Sequence, residues 1–427
     1  MPDKSEKILP FISTHHLPGL DLGSDVISPN YEGYSLLNLP ASICRLLGIP
    51  DFGGLPLKDE LLNSTNHHFQ RIVLFVLDGL GLYWFQSFLQ NNPASVWNKW
   101  MPQASLVPLT TVSPSTTSAA LTTLWTGASP AAHGIVGYEL WLKEFGVVAN
   151  MITHSVMTFS GDTGGLRRAG FQPESFLSVP TLGPHLSSHG IQPYAFLHQS
   201  ISRSGLSAMH LHQVNTYPFQ NVGDMLVGLR NLLNDHTGES LYTFVYWGDL
   251  DELSHRFGPD NERVGIEFDA FSQIFAKHFL DRLTQAARKD TLLLVTADHG
   301  QVSTPKYKKY ELSRHPALLQ SLHILPTGEN RLAYLHLRPG KEEFVRRYIE
   351  ETWPGQFTLL PTAQVLSSGL LGPGKNHPRL EERLGDLVAI AHGDAYWWWA
   401  EKENPLLGRH GGLSPSEMLI PLYALPL

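Results

Sequence analysis

The chain has 427 residues, of which 42% are hydrophobic and 16% charged, and its net charge is −8. That composition supports a sizeable core and excludes a disordered chain, and the acidic balance excludes a broad nucleic-acid or anionic-membrane surface. A single cysteine, Cys44, rules out an intramolecular disulfide framework and a cysteine-based zinc cluster.

Residues 1–70 are rich in Pro, Gly, Asn and Ser and read as an irregular N-terminal arm, with one short helical piece near Ser42–Leu47. Its first stretch, MPDKSEKILPFISTHH, has no apolar signal segment, and no apolar run in the chain approaches the roughly 20 residues that span a bilayer. The expectation is a cytoplasmic protein without membrane contact. RIVLFVLDGLG (Arg71–Gly81) is a continuous apolar run ending in Asp-Gly, the form of a buried parallel strand meeting its C-terminal loop. VSPSTTSAALTTLWTG (Val112–Gly127) follows, with hydroxyls on half of its residues. Pro114 and the run after it read as a helix start, with Ser115 or Thr116 at the N-cap.

Farther along, Pro193–His198 reads as a strand and Val222–Leu233 as a helix. Leu241–Asp249 and Asp290–Gly300 repeat the buried-strand form, with a helical pattern over Val264–Arg288 between them. Arg331–Leu337 and Gly385–His392 are β-like, and Lys341–Thr352 is an amphipathic helix. Alternation of buried strands and helices predicts an α/β fold with a mostly parallel central sheet over residues 71–427. The Pro-punctuated segment from about Tyr307 to Leu384 is expected to form a small inserted lobe.

Ligands of parallel α/β sheets gather at the carboxyl ends of the strands. The three strongest strands end there in Asp78, in the Asp249–His255 cluster and in Asp298–His299. Carboxylates converging on one cleft repel one another and need a cation between them. Asp251 and His255, four apart, share one face of a helix, and Asp and His suit Zn²⁺ or a similar ion. GRHGGLSPSEMLIPL places His410 among glycines that permit close backbone approach. In the hydroxyl-rich run, a side chain in the first helical turn sits where free amides and the helix dipole favour negative charge. That physics leaves Thr116, Thr117 and Ser118 open. GLLGPGKN (Gly369–Asn376) has Asn376 where a phosphate loop needs Ser or Thr, and it reads as an ordinary loop. YWWWAE (Tyr396–Glu401) reads as packing for the core or the lobe.

Taken in order, the Asp-Gly, helix-start hydroxyl, DxxxH, DHG and HGG motifs resemble the alkaline phosphatase superfamily. Within it the chain is most similar to the type I phosphodiesterase/nucleotide pyrophosphatase family, over roughly Arg71 to Leu422. The resemblance implies a three-layer α/β/α sandwich and two divalent metal ions, Zn²⁺ by default, with Mn²⁺ or another divalent ion as the alternative. It selects Thr117 as nucleophile, because the family's nucleophile precedes the Thr of a TG pair, here Thr126–Gly127, by nine residues. One metal is then expected on Asp78, Thr117, Asp298 and His299, and the other on Asp251, His255 and His410. The implied activity is hydrolysis of a small-molecule phosphodiester or pyrophosphate through a phosphothreonine.

Tyr138 stands where the family has an Asn that bonds a phosphoryl oxygen, and Ser118 where nucleotide-processing members have an aromatic. Tyr246 or Trp247 is expected to supply an aromatic wall instead, and Arg256 to meet a terminal phosphate if there is one. The alternatives are a phosphomonoesterase or phosphonate hydrolase on the same core and, outside catalysis, a silent metal- or phosphate-binding protein.

Overall fold

A computed structural model of the protein describes residues 3–62, 68–158 and 162–427. Its apolar runs form a seven-stranded central sheet of β1 (Arg71–Leu77), β2 (Ser105–Thr110), β3 (Gln192–His198), β4 (Asn215–Phe219), β5 (Leu241–Trp247), β6 (Thr291–Thr296) and β7 (Leu419–Pro426). The spatial order is β2-β7-β6-β1-β5-β3-β4. β1 pairs in parallel with β5 and β6, and β3 does so with β4 and β5. β7 runs antiparallel to both its neighbours, β2 and β6, so it alone is reversed.

Every residue of β1 is buried, which requires cover on both faces of the sheet. Register pairs Leu74 with Phe244 and Phe75 with Val245, so Phe244 and Phe75 point to opposite faces. On the Phe75 face lie Phe271, Phe275 and Phe279, with ring centroids 6.5, 5.2 and 6.1 Å away. On the other face Trp125 of α1 (Thr117–Thr126) packs against Phe244 at 5.2 Å. Helix, sheet and helix make the three layers. The expected helix over Val264–Arg288 is interrupted: an α-helix over Glu262–Ile274 widens into a π-turn at Phe275–Phe279, and both of those rings reach Phe75.

Residues 3–62 are more ordered than their turn-rich composition suggests. Helices span Ser5–Ser13 and Leu39–Leu46, and Ile8, Ile12, Leu36 and Ile43 join the main core. Lys4 N–H donates to Leu106 O and Thr110 N–H donates to Tyr34 O, each at 2.9 Å, so this segment covers the edge strand β2.

A second, antiparallel sheet also has seven strands. Glu139–Leu142, Val147–Asn150 and Ser155–Val156 supply three of them, and the rest lie between Thr327 and Ala391. The lobe expected from about 307–384 thus recruits a hairpin from far upstream. Leu312, Leu335, Val345, Ile349, Trp353 and Trp397 form its core. Among the described residues no helix is long and apolar enough to cross a membrane.

Candidate active site

Because β1, β5 and β6 run in parallel, their carboxyl ends meet at one edge. Asp78 follows β1 directly, and its N–H donates to Trp247 O at 2.9 Å, fixing where the carboxylate emerges. Asp298 lies two residues beyond β6, and its Oδ1 accepts N–H groups from His299 at 3.0 Å and Gly79 at 3.3 Å. After β5 the chain turns into α2 (Asp249–Phe257), where Asp251 and His255 sit one turn apart with Nε2 and Oδ2 separated by 3.3 Å. His410 arrives on the loop before β7. Gly411, at φ +106°, lies so close to Glu329 that an added Cβ would meet the Glu329 Cβ at 2.4 Å, and only glycine fits there.

The three histidines share one arrangement. Their Nδ1 atoms lie beside backbone carbonyls: His255 by Gly408 at 2.9 Å, His410 by Ser115 at 3.0 Å and His299 by Gly300 at 3.1 Å. Each contact lets Nδ1 donate its proton to the carbonyl and turns Nε2 into the site. The Nε2 of His299 is 3.4 Å from Asp78 Oδ1 and 3.6 Å from Asp298 Oδ2, and that of His410 is 3.9 Å from Asp251 Oδ1. Burial and then the neighbouring His299 push His410 well below the usual imidazole range, so it is neutral.

The carboxylates are short of partners. Asp78 Oδ1 and Asp298 Oδ2 are buried oxygens with no hydrogen-bond donor. Burial first, and then the charges of Asp251 and Asp298, push Asp78 far above the ordinary carboxylate range. Asp78 Oδ2 accepts the Tyr246 hydroxyl, and Asp251 Oδ1 accepts the Gln301 amide. Two sets of ligand atoms are each close enough to hold one ion, Asp78 with Asp298 and His299, and Asp251 with His299 and His410. Hard carboxylate oxygens, imidazole nitrogens and two orphaned buried oxygens fit divalent cations.

The structure also separates the hydroxyls. Thr117 is the first residue of α1, and the first bond within the helix runs from Ala120 N–H to Thr116 O, so the preceding amides have no partner inside the helix. Thr117 Oγ1 lies 3.2 Å from His299 Nε2. Ser118 is fully buried and donates to Gly137 O at 2.9 Å. Thr116 occupies the N-cap position without a side-chain cap bond, and its hydroxyl turns instead to Glu329. Ser115 does not cap either; it donates to Gly412 O at 2.7 Å and accepts Gly411 N–H at 3.1 Å, tying the helix start to the His410 loop. Thr116 therefore takes the N-cap position as expected, but neither side chain makes a cap bond, because both are drawn to tertiary partners.

Tyr138 and Tyr246 line a cleft of about 570 Å³ that opens over Thr117. Asn150 Oδ1 accepts the N–H groups of Ile152 and Thr153, so its amide nitrogen faces and donates to the Tyr138 hydroxyl. The phenol proton is therefore left to donate elsewhere. Burial and then the charges of Glu139 and Glu329 push Tyr138 up to about 12, so it keeps that proton. Trp247 cannot supply a cleft wall, since register sends it to the opposite face, where it stacks on Phe271 at 4.3 Å. Arg256 is exposed and rests over Phe257, away from the cleft. Of the YWWWAE run, Tyr396, Trp397 and Trp399 belong to the lobe core, and Trp398 and Trp399 also line the cleft.

Sequence reasoning missed Gln301, Glu139, Glu329 and the buried pair of Arg331 with Glu417. Gln301 directly follows the DHG motif, which offered a signal; the others become neighbours only through the second sheet. Arg331 bonds Glu417 twice, at 2.8 and 3.0 Å, and Glu417 also accepts Gly412 N–H at 2.8 Å, bracing the His410 loop.

The sequence pattern of the family described as Type I phosphodiesterase / nucleotide pyrophosphatase matches residues 72–413. Human ectonucleotide pyrophosphatase/phosphodiesterase family member 5 is 25% identical over 170 residues, 39% of this chain and 33% of that protein, so the match spans about a third of that relative's length. Among solved structures, murine ectonucleotide pyrophosphatase/phosphodiesterase 5 is similar at a TM-score of 0.59 and 18% identity, over 82% of this chain and 87% of that one. An inactive form of it was solved in complex with AMP. Phosphonoacetate hydrolase from Sinorhizobium meliloti 1021 is similar at a TM-score of 0.59 and 16% identity, over 82% of this chain and 89% of that one. At these identities the likeness concerns the fold.

Proposed function

The chain belongs to the type I phosphodiesterase/nucleotide pyrophosphatase family, and on that premise we propose that it hydrolyses a small-molecule phosphodiester or pyrophosphate through a phosphothreonine at Thr117. One observation carries the reading: Thr117 Oγ1 lies at a helix mouth, 3.2 Å from His299 Nε2, which in turn lies beside two buried carboxylate oxygens that have no hydrogen-bond donor.

In this reading Asp78, Asp298 and His299 hold one divalent cation together with Thr117, and Asp251, His255 and His410 hold a second, with Zn²⁺ the leading identity. Bound there, the cations supply Lewis acidity and lower the pKa of coordinated hydroxyl and water. Thr117 Oγ attacks phosphorus in line, forming the Thr–O–P bond as the bond to the leaving oxygen breaks, and the threonine proton passes to that leaving oxygen. In the second step water attacks phosphorus, the Thr–O–P bond breaks, and one water proton returns to Thr117 Oγ. The α1 amides before Ala120 face the negative phosphoryl group, and the Tyr138 hydroxyl donates to a phosphoryl oxygen in place of the family's Asn. Tyr246 orients Asp78 and Gln301 orients Asp251.

A turnover panel on protein loaded with Zn²⁺ or Mn²⁺ tests this, comparing bis(p-nitrophenyl) phosphate, p-nitrophenyl phosphate and phosphonoacetate. The diester should turn over fastest. Faster hydrolysis of the monoester or of the phosphonate would replace the phosphodiesterase reading with the corresponding alternative.

A further inference from the structure

The N-terminal arm does more than cover the edge of the sheet. It precedes residues 72–413, which carry the family pattern, yet it bonds to the segments that shape the site. Ile27 N–H donates to Leu413 O at 2.8 Å, on the loop that carries His410. Asn30 N–H donates to Thr110 Oγ1 at 3.0 Å, where β2 ends and the run toward Thr117 begins. The buried Tyr31 hydroxyl donates to Leu370 O at 3.0 Å and accepts Ser113 N–H at 3.2 Å, four residues before Thr117.

A second hold lies at the far end of α1. Gly54 N–H donates to Gly127 O at 3.1 Å, and Gly127 is the left-handed residue that closes the helix. The two backbones touch there, so that a Cβ on Gly53 would run into the Gly127 carbonyl. One side chain fixes the span between the two holds. Asn38 is fully buried, and its amide nitrogen donates to Tyr31 O at 3.0 Å and to Leu55 O at 2.9 Å. Its Oδ1 accepts the N–H and the hydroxyl of Ser35, so the amide is saturated in one orientation. The helix that follows, Leu39–Leu46, packs against α1.

A helix held at one end can pivot, and one held at both ends cannot. Thr117 Oγ1 stands at the first of those ends, 3.2 Å from His299 Nε2, and a displacement of about 1 Å in a reacting atom costs about 100-fold in rate. We propose that the arm, over residues 27–55, is a positioning part of the active site that sets Thr117 against the metal ligands, with Tyr31 the positioning residue at the nucleophile end. The proposal rests on Thr117 as the nucleophile of the phosphodiesterase reading, and it adds to that site a segment outside the family pattern.

The test measures hydrolysis of bis(p-nitrophenyl) phosphate by the metal-loaded full chain, at a temperature where every variant is folded. Tyr31→Phe keeps the ring and removes both bonds of the hydroxyl. Its kcat and kcat/KM should fall together by roughly tenfold, with KM and metal content unchanged. Asn38→Ala, which frees both holds, should lower them further. Ile12→Ala is the control for stability alone. Ile12 is buried in the arm's first helix, which packs on β2, and its truncation should lower the thermal midpoint without lowering kcat. A Tyr31→Phe protein with full kcat overturns the proposal, and so does an Ile12→Ala protein that loses as much activity as Tyr31→Phe. Hydrogen exchange of the metal-free chain reads the hold without turnover: Tyr31→Phe should speed exchange across residues 113–120, and an unchanged rate there also overturns the proposal. If the unmodified protein hydrolyses no diester, the phosphodiesterase reading falls, and the exchange measurement alone decides the role of the arm.

Discussion

Replacing Glu417 with Ala attacks the brace of the His410 loop. Both Arg331 and Glu417 are buried, at 1% and 0% exposure, and the two bonds between them lie at 2.8 and 3.0 Å. Glu417 oxygens also accept Gly412 N–H at 2.8 Å, Ser414 N–H at 3.2 Å and the Ser414 hydroxyl at 2.6 Å. Truncation therefore strands a guanidinium in the interior along with three loop donors. Breaking a buried pair from one side costs about 3–5 kcal/mol, because the surviving charge has no compensation. Urea unfolding of the metal-free protein should show a loss of that size. The double variant Arg331→Met with Glu417→Leu should recover most of the stability, since apolar residues of similar volume replace buried ion pairs at little cost. It should not recover the loop anchors at Gly412 and Ser414, so its metal affinity should stay about 10–100-fold weak. A Glu417→Ala loss below about 1 kcal/mol, or a double variant with normal metal affinity, would refute the reasoning.

Thr117→Ala should lower turnover by at least about 10³-fold, and mass spectrometry of acid-quenched enzyme should find phosphate on Thr117 only in the unmodified protein. Tyr138→Phe removes a donor to a charged oxygen and should lower kcat/KM about 10- to 100-fold with metal content unchanged, as read by steady-state kinetics and elemental analysis. Burial pushes Glu329 up to about 8 from an ordinary value near 4.5, so the stability it contributes is full below pH 4.5 and lost as pH rises through 8. The unfolding free energy of metal-free protein should accordingly fall toward pH 8, and Glu329→Gln should flatten that fall. Because Asp78 keeps its proton far above the ordinary range without a cation, metal affinity should rise with pH in competition titrations, and chelation should lower the thermal midpoint.

Much of the site was legible in the sequence because its parts lie where a strand ends. Asp78, Asp251 and Asp298 each follow an apolar run that can only be a central strand, and parallel packing then brings the three together. The choice among Thr116, Thr117 and Ser118 was not legible from helix-start physics, since it depends on tertiary partners: Glu329, His299 and Gly137. The misplacement of Trp247 has a similar origin. Adjacent residues of a strand point to opposite faces, and parity cannot be assigned before the register is known. The arm hid its order because its apolar residues are spaced between turn formers and find their partners on the edge strand β2 and on α1, far along the chain. The second sheet was only partly visible, its upstream strands ending at Val156 and its next strand beginning only at Thr327.

The reversed strand β7 sets an order of assembly. It sits between β2 and β6 and follows every other strand in the chain. While the chain is being made, β1, β3, β4, β5 and β6 can already pair among themselves, but β2 has no neighbour in that sheet until Leu419–Pro426 emerges. Until then β2 has only the backbone of the N-terminal segment to lie against, through Lys4 and Tyr34. That segment acts as a built-in escort, occupying a strand edge that would otherwise wait open for the last partner to arrive.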